Sequence, residues 1–539
     1  MLSKFLNNQS KTLTGAAIMI SGAAFLSRIV GLLRDRIFAH HYGAGMVMDS
    51  YAAAFKIPDL IYGLLVIGAL SAGFIPTFTK LITISSNKEP AWKLANNVLN
   101  ILAICLIALC ALGFIFAPQL TGFIAPGFNN ETFILAVRFS RIMLCSTLLL
   151  GISMVMGGIL QSFRSFVIYS IAPIFYNVGI IFGVVALVPL IGISGIAWGV
   201  VLGALLHCCL QIYGAYKMNY RWKWNFNLKD KNTRLIAKLM IPRTLGMAIT
   251  QINMVVMTIF ASLLPLGSLA IFSYAKNLQD VPAGIIGIPF ALAAFPILSS
   301  AVAGENEKKF ISTLSQTIRQ ILFLIAPISV LMLLLRAQIV RVILGSGAFD
   351  WTSTINTADT LAFFCLSLFA QSLIPLFARA FYSLQDTKTP FVIALVSELI
   401  TIIAALIFMK KLGTPGLALA ISIGALINMT LLAYYLRDTT KFLDGHRIFN
   451  SMWKIATASL AMAIVIQWAK YPLARIVDQE KLWGIFSQGF IAGIAGLAIY
   501  CLMCYFLNLP EFKQFTGSFR KKWLKIRGIK ISENIDLKN

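Results

Sequence analysis

Three stretches of this chain, Val98–Phe116, Ile168–Ile191 and Phe391–Met409, run almost without charge for the length needed to cross a hydrocarbon layer. Inside hydrocarbon every backbone N–H and C=O needs a partner, so only helices and closed barrels are tolerated. A barrel would show strands of about ten residues with strict alternation, and these runs do not alternate. The rest of the chain agrees: 58% of its 539 residues are hydrophobic, 12% are charged, and the mean hydropathy is +0.82. A soluble fold has too little interior to cover that much apolar surface. The expected fold is an all-α integral membrane bundle.

Length and apolarity give about fourteen spans, near residues 14–40, 50–82, 92–117, 132–162, 166–190, 192–216, 237–263, 268–302, 310–344, 356–384, 389–410, 414–436, 450–470 and 484–507. A formal charge of +25 invites a nucleic-acid reading, but the cations sit in short loops and in the tail, as an orientation signal does. Nucleic acid is therefore excluded as a partner. The loop after the sixth span holds Lys217, Arg221, Lys223, Lys229, Lys231, Arg234 and Lys238 against Asp230. The tail holds Lys513, Arg520, Lys521, Lys522, Lys525, Arg527 and Lys530, whereas Pro118–Asn130 and Leu264–Ser268 carry no Lys or Arg. Both termini are then expected in the cytoplasm, with Arg336 and Arg341 near the outer end of the ninth span running against the pattern. No cleavable leader is expected, because Met1–Leu13 is polar and the first apolar run leads straight into charged helix.

The chain also repeats itself. Gly192-Ile193-Ser194-Gly195 and Gly203-Ala204-Leu205 match Gly413-Thr414-Pro415-Gly416 and Gly424-Ala425-Leu426 at a shift of 221. The same shift brings Gln161-Ser162-Phe163 onto Tyr382-Ser383-Leu384 and Gly127-Phe128 onto Ala348-Phe349; a shift of 220 brings Lys56 onto Lys276 and Pro76 onto Pro296. Two like-oriented six-helix lobes around a central cavity are expected, the arrangement of alternating-access transporters. The divisions are 1–216, a basic linker 217–236, a second lobe 237–440, an extra helix pair 441–510 and a basic tail 511–539.

Ionisable groups within spans are costly, so each needs a reason. In Ser27-Arg28-Ile29-Val30-Gly31-Leu32-Leu33-Arg34-Asp35-Arg36, residues Ser21, Arg28 and Asp35 share a helical face. Arg34 joins that face if the helix bends at Gly31. The alternative is an Arg28–Asp35 structural pair. Asp49, Lys56 and Asp59 open the second span, where Pro58 breaks the ladder; Lys56 and Asp59 line a cavity there or pair with each other. Lys276, Asn277 and Asp280 precede Pro282 in the eighth span, and the repeat is expected to set Lys276 opposite Lys56, as a diphosphate would require. A Lys276–Asp280 pair is the structural alternative. Glu398 is isolated in the eleventh span, with Asn428 of the twelfth as its partner in a proton or sodium site.

No phosphate-binding G-x-x-x-x-G-K-[ST] loop, metal-ligand spacing or nucleophile–base pattern is present. Neither enzyme chemistry, a cofactor nor a metal is expected. The eight cysteines, including Cys501-x-x-Cys504, lie in apolar runs and read as small hydrophobic filler. Energy for transport would come from membrane potential, Na+ or H+, at about 2.3 kcal/mol per charge per 100 mV.

These segments resemble the MurJ (MviN) family of lipid II flippases. The likeness rests on Ser27-Arg28 through Gly31 to Arg34-Asp35, on Tyr42-Gly43-Ala44-Gly45 and Asp49, on Ala54-Phe55-Lys56-Ile57-Pro58-Asp59, and on Gly68-Ala69-Leu70-Ser71 to Phe74-Ile75-Pro76. It implies a fourteen-helix bundle of the multidrug/oligosaccharidyl-lipid/polysaccharide (MOP) exporter superfamily, multi-pass in the bacterial cytoplasmic membrane. The implied activity carries an undecaprenyl-diphosphate-linked peptidoglycan precursor outward for cell-wall synthesis. A groove by the last two helices would hold the lipid tail, and cell-wall synthesis or division proteins are the implied protein partners. Carried over by motif, Arg28, Arg34 and Asp35 belong to the substrate cavity, with Asp49, Lys56 and Asp59 beside them. The chain departs from the family pattern at Tyr62, often arginine, at Ile67, often acidic, and at Asn277, where an arginine is usual. Its rivals are a flippase for another polyprenyl-linked oligosaccharide, a cation-coupled drug exporter with an acidic, aromatic cavity, and a transport-dead scaffold.

Overall fold

In the computed structural model, residues 13–67, 73–84, 87–440, 444–478 and 481–517 are described. They fold as helices joined by short turns, with no strand among them. Over these residues the fourteen expected stretches fall on helical segments, from Leu13–Tyr42 to Leu482–Phe506. Among the described residues nine helical runs are long and apolar enough to cross a membrane, or ten with the bent pair Trp351–Cys365 and Leu368–Ser383. One of the nine, Phe166–Lys217, is a 52-residue run containing two of the expected spans. Large apolar side chains such as Ile107, Leu190, Ile403 and Trp468 lie exposed on these helices, as lipid-facing residues do. The motif Gly68-Ala69-Leu70-Ser71 and the tail cations from Arg520 onward lie outside the described residues.

Turn geometry carries the repeat. Gly192 and Gly413 both take positive φ, 70° and 63°, and so do Arg164 (58°) and Gln385 (62°). Each pair is separated by the same 221 residues that relate the sequence motifs. The second span and its counterpart also lose regular α geometry in matching places, as wider turns over Tyr62–Ile67 and Ala283–Gly287. Such wide turns occur at functional positions, since they leave carbonyls for other groups to satisfy.

By packing, the chain gathers into two units. The first comprises Met1–Leu278, Ile343–Thr360 and Ala394–Ile421. Part of its core is a buried cluster that includes Phe74, Phe78, Leu94, Leu106, Met156 and Ile159. Gly43 of Tyr42-Gly43-Ala44-Gly45, together with Gly267, serves a crowded junction in this unit. A Cβ on Gly43 would meet the Ala348 carbonyl at 2.4 Å, and one on Gly267 would meet the Ala44 carbonyl at 2.3 Å. Both residues also take positive φ, so glycine is required twice over.

The second unit comprises Gln279–Val342, Leu361–Ile393 and Ser422–Asn539. Here side chains of the last two spans satisfy carbonyls of the Glu307–Leu334 helix. Tyr500 donates to the Phe323 carbonyl at 2.8 Å and Lys470 to the Leu334 carbonyl at 3.0 Å. Arg319 pairs with the buried carboxylate of Glu511, which also accepts from Ser451. The helix pair after residue 440 is therefore packed into this unit by polar as well as apolar contacts.

Candidate functional site: a cavity of paired charges

The second span is built to break. Pro58 has no N–H, so the Ala54 carbonyl loses its helical donor. Ser140 of the Asn130–Ser162 helix donates to that carbonyl instead, at 3.3 Å. Beyond the break, Gln251 donates to the Asp59 carbonyl (3.3 Å) and Thr244 to the Leu64 carbonyl (3.1 Å). Gln251 and Thr244 are two turns apart on the Lys231–Ser262 helix, so one face of it holds the irregular segment. Gly63 makes this possible, because a Cβ there would meet the Gln251 amide nitrogen at 2.2 Å.

The break opens onto a cavity of about 330 Å³ within the first unit. Its lining includes Arg34, Asp35, Lys56, Asp59 and Asn277, together with Tyr51, Phe55, Tyr176 and Tyr274. Arg34 reaches it although the Leu13–Tyr42 helix is continuous, because its guanidinium folds toward its neighbour. Arg34 Nε and Nη2 both donate to Asp35 Oδ1, at 3.0 and 2.8 Å. Arg34 Nη1 donates to Asn177 Oδ1 at 3.0 Å. The other carboxylate oxygen, Asp35 Oδ2, accepts from Asn277 Nδ2 at 3.0 Å. Asn177 is steadied in turn by donating to the Pro173 carbonyl at 3.2 Å.

This network holds the planar guanidinium in one orientation. It also leaves one N–H on each terminal nitrogen uncommitted, since arginine has five donors. Lys56 makes no ion pair or hydrogen bond among the described residues, with Asp59 or otherwise. Arg34 and Lys56 balance Asp35 and Asp59, so the lining is formally neutral.

Asp49 does a different job from the one its motif suggests. It is 3% exposed, and its two oxygens accept from the backbone of Gly267 (2.7 Å) and Ala270 (2.8 Å). A carboxylate at these N–H groups caps the Ser268–Pro282 helix, which carries Asn277 into the cavity. Arg28, Lys276 and Asp280 are half-buried on the first and eighth spans, and none is among the residues lining this cavity. In the eighth span it is Asn277, and not Lys276, that lines this cavity with Lys56.

Glu398 accepts a hydrogen bond from Asn253 Nδ2, and both residues belong to the first unit. Asn428 is half-buried in the second unit. Among the described residues no cluster of three His, Cys, Asp or Glu side chains could hold a metal ion. Asn177, Asn253, Tyr51, Ser140, Thr244 and Gln251 went unread in the sequence. The available signal was plain: each is polar within an apolar span, where a polar group needs a partner.

Comparison with known proteins places this geometry in a family. The family model described as "Lipid II flippase MurJ" matches residues 38–480. The lipid II flippase MurJ of Burkholderia cenocepacia is 26% identical over 461 residues, covering 84% of this chain and 89% of the relative. The probable lipid II flippase MurJ of Rickettsia prowazekii is 29% identical over 510 residues, covering 94% and 100%. A solved structure of the lipid II flippase MurJ in an inward closed conformation superposes with a TM-score of 0.76 at 26% identity, over 91% of this chain and 99% of that one. An inward-facing multidrug resistance MATE transporter of the MOP superfamily shares the fold, with a TM-score of 0.66 at 16% identity over 80% of this chain and 99% of that one. A multi-pass helical membrane protein with this match across most of its length belongs to the MurJ lipid II flippase family.

Proposed function

We propose that this protein carries lipid II, an undecaprenyl-diphosphate-linked glycopeptide, from the inner to the outer leaflet of the bacterial cytoplasmic membrane. The observation that carries the proposal is the shared cavity of Arg34 and Lys56, with N–H donors still uncommitted. A diphosphate leaving water needs charge-assisted donors at each stage, or its desolvation is prohibitive. Arg34 offers a fixed, planar pair of donors, and Lys56 offers three on a flexible stem. Asp35 and Asn277 keep the guanidinium aimed at the cavity, and Asp49 keeps Asn277 in place. Arg28, Lys276 and Asp280 meet the headgroup at other stages of its passage.

The neutral lining bears on energetics. An empty cavity with balanced charge is not strained by self-repulsion, but an entering diphosphate makes it strongly negative. A cation or proton entering with the substrate, or bound elsewhere in the cycle, offsets that charge. Glu398 and Asn253 are the groups proposed for it, coupling transport to H+, Na+ or membrane potential. Residues 1–216 and 237–440 are the two halves whose relative motion gives alternating access. Both termini then face the cytoplasm, the precursor is delivered to cell-wall synthesis outside, and synthesis or division proteins are the protein partners.

Complementation of a bacterium depleted of its own lipid II flippase tests the reading, with surface exposure of the precursor measured beside growth. Wild type should restore both, while Arg34→Ala and Lys56→Ala, at equal membrane abundance, should restore neither. Full rescue by both variants would remove the cavity from the mechanism.

A further inference from the structure

The linker after the sixth span is more than an orientation signal. Three asparagines on two successive turns of the Glu89–Ile115 helix, Asn96, Asn97 and Asn100, are at most 4% exposed. All six of their side-chain amide atoms are committed to the linker. Asn96 donates to the Arg221 carbonyl and accepts from Tyr220 Oη and the Lys223 N–H. Asn100 donates to the carbonyls of Lys223 and Asn225 and accepts from the Trp222 indole N–H. Asn97 donates to the Asn227 carbonyl and Thr233 Oγ1 and accepts from the Asn227 N–H. A non-helical segment is thus held straight along a helix by side-chain amides, doing the work of a neighbouring strand.

What this strap displays is unusual for a loop in water. Trp222, Trp224, Phe226 and Leu228 are 60%, 67%, 47% and 57% exposed, interleaved with exposed Arg221, Lys223 and Lys229. The two indoles meet edge to face at 6.5 Å. At the end of the preceding helix the pattern continues, with Lys217 over the Tyr213 ring and Arg221 over the exposed Tyr216 ring. Indole and phenol rings beside cations are the composition of a bilayer interface, where the ring sits at headgroup depth. Between Lys217 and Lys238 there are seven cations and one acid, the complement of an anionic surface.

We propose that residues 216–229 form a membrane-surface strap that binds anionic phospholipid headgroups, with Trp222 and Trp224 seated in the headgroup layer. The strap runs into Asp230, whose carboxylate caps the Lys231–Ser262 helix through Thr233. That helix holds the broken second span through Thr244 and Gln251. Lipid charge at the surface is therefore linked mechanically to the segment that lines the cavity.

The test uses the full chain in nanodiscs, with no transport substrate, so its outcome is independent of the proposed function. Quenching of Trp222 and Trp224, read as the difference between wild type and a Trp222→Phe/Trp224→Phe variant, is measured with acyl-brominated phosphatidylglycerol in unlabelled phosphatidylcholine. The reverse labelling is then measured at the same mole fraction. Brominated phosphatidylglycerol should quench more strongly at low salt. Lys223→Gln/Lys229→Gln should remove the preference, by on the order of tenfold in apparent affinity, while general quenching by either lipid persists as evidence of an intact strap. Equal quenching by both lipids in wild type, no quenching by either, or a preference unchanged in the double variant overturns the proposal.

Discussion

Asn177 and Glu398 stand 221 residues apart, at the same position in two helices that each open a hairpin, Phe166–Phe182 and Lys388–Leu412. Each accepts a hydrogen bond from a helix earlier in its own half: Asn177 from Arg34, and Glu398 from Asn253. The donor positions are 219 apart, so the two bonds are near-equivalents under the repeat. Their charges are inverted. In the first half a cation meets a neutral acceptor, and in the second a neutral donor meets an anion. Under the proposed function, one framework used twice would serve an anion in the first half and a cation in the second. The hairpins differ in glycine content as well. Gly179, Gly183, Gly199 and Gly203 let the first close tightly, and a Cβ on Gly183 would meet Gly199 Cα at 2.4 Å. The equivalent positions in the second hairpin are Ile400, Ala404, Ala420 and Gly424.

Removing the cation from the first site should have the largest effect. Arg34→Ala leaves Asp35 with Asn277 alone and takes two charge-assisted donors from the substrate, each worth about 1.5–3 kcal/mol. Transport should fall on the order of a hundredfold or more, measured as precursor exposed per unit of membrane protein. Arg34→Lys keeps the charge but not the fork, and should recover only part of the loss. Full activity in Arg34→Lys would mean that charge alone matters and that the network with Asp35 and Asn177 is incidental.

Removing the anion from the second site comes next. Glu398→Gln keeps an acceptor for Asn253 but cannot carry a cation or proton. If the site couples transport, the dependence on ion gradients should disappear in proteoliposomes. For one charge moving through 100 mV that dependence is about 2.3 kcal/mol, roughly fiftyfold. Lipid II binding without a gradient should stay near wild type. An unchanged gradient response in Glu398→Gln would end the idea that the halves divide anion and cation between them.

Much of this was legible in the sequence and some was not, for definite reasons. Apolar run length located the helical segments, because the bilayer imposes a minimum length on every span. The offset of 221 was readable because turns fix glycine where φ must be positive, as at Gly192 and Gly413. Arg34, Asp35, Lys56 and Asp59 drew notice because charge in a span is expensive, and the structure gathers these four. Charge alone could not separate a lining residue from a positioning one. Asp49 sits in the same motif, yet its carboxylate is consumed by the Gly267 and Ala270 amides, which lie more than two hundred residues away in sequence. Nor could it rank Asn277 above Lys276, since which of two adjacent residues faces a cavity depends on helix rotation set by packing.

The difference in glycine content should show up in stability. Gly183→Ala forces a methyl group into backbone spacing and should cost about 2 kcal/mol, read as a lowered unfolding midpoint in detergent. The converse exchange, Ala404→Gly, removes a methyl at the equivalent position of the second hairpin and should cost about 1 kcal/mol, mostly through backbone freedom. Equal costs would show that the glycines of the first hairpin reflect no tighter closure than their counterparts.

A small expected effect, on binding and not on stability, is the most direct test of the inversion. Asn177→Asp makes the first site resemble the second by placing an anion at the position equivalent to Glu398 in the repeat. The new carboxylate still accepts from Arg34 Nη1, and it gives up only the donor bonds to the Pro173 carbonyl and, at 3.5 Å, the Ser27 carbonyl, so the cost to folding should be small. One negative charge is, however, added directly behind the cavity lining, and Arg34 becomes shared between two carboxylates. An incoming diphosphate must then compete with the introduced carboxylate as well as with Asp35 for the guanidinium, which should weaken lipid II binding about tenfold, near 1.4 kcal/mol. Rising salt should narrow that gap, because screening reduces the added repulsion. Binding as tight as wild type in Asn177→Asp would show that the neutrality of this acceptor is not what suits the first half to an anion.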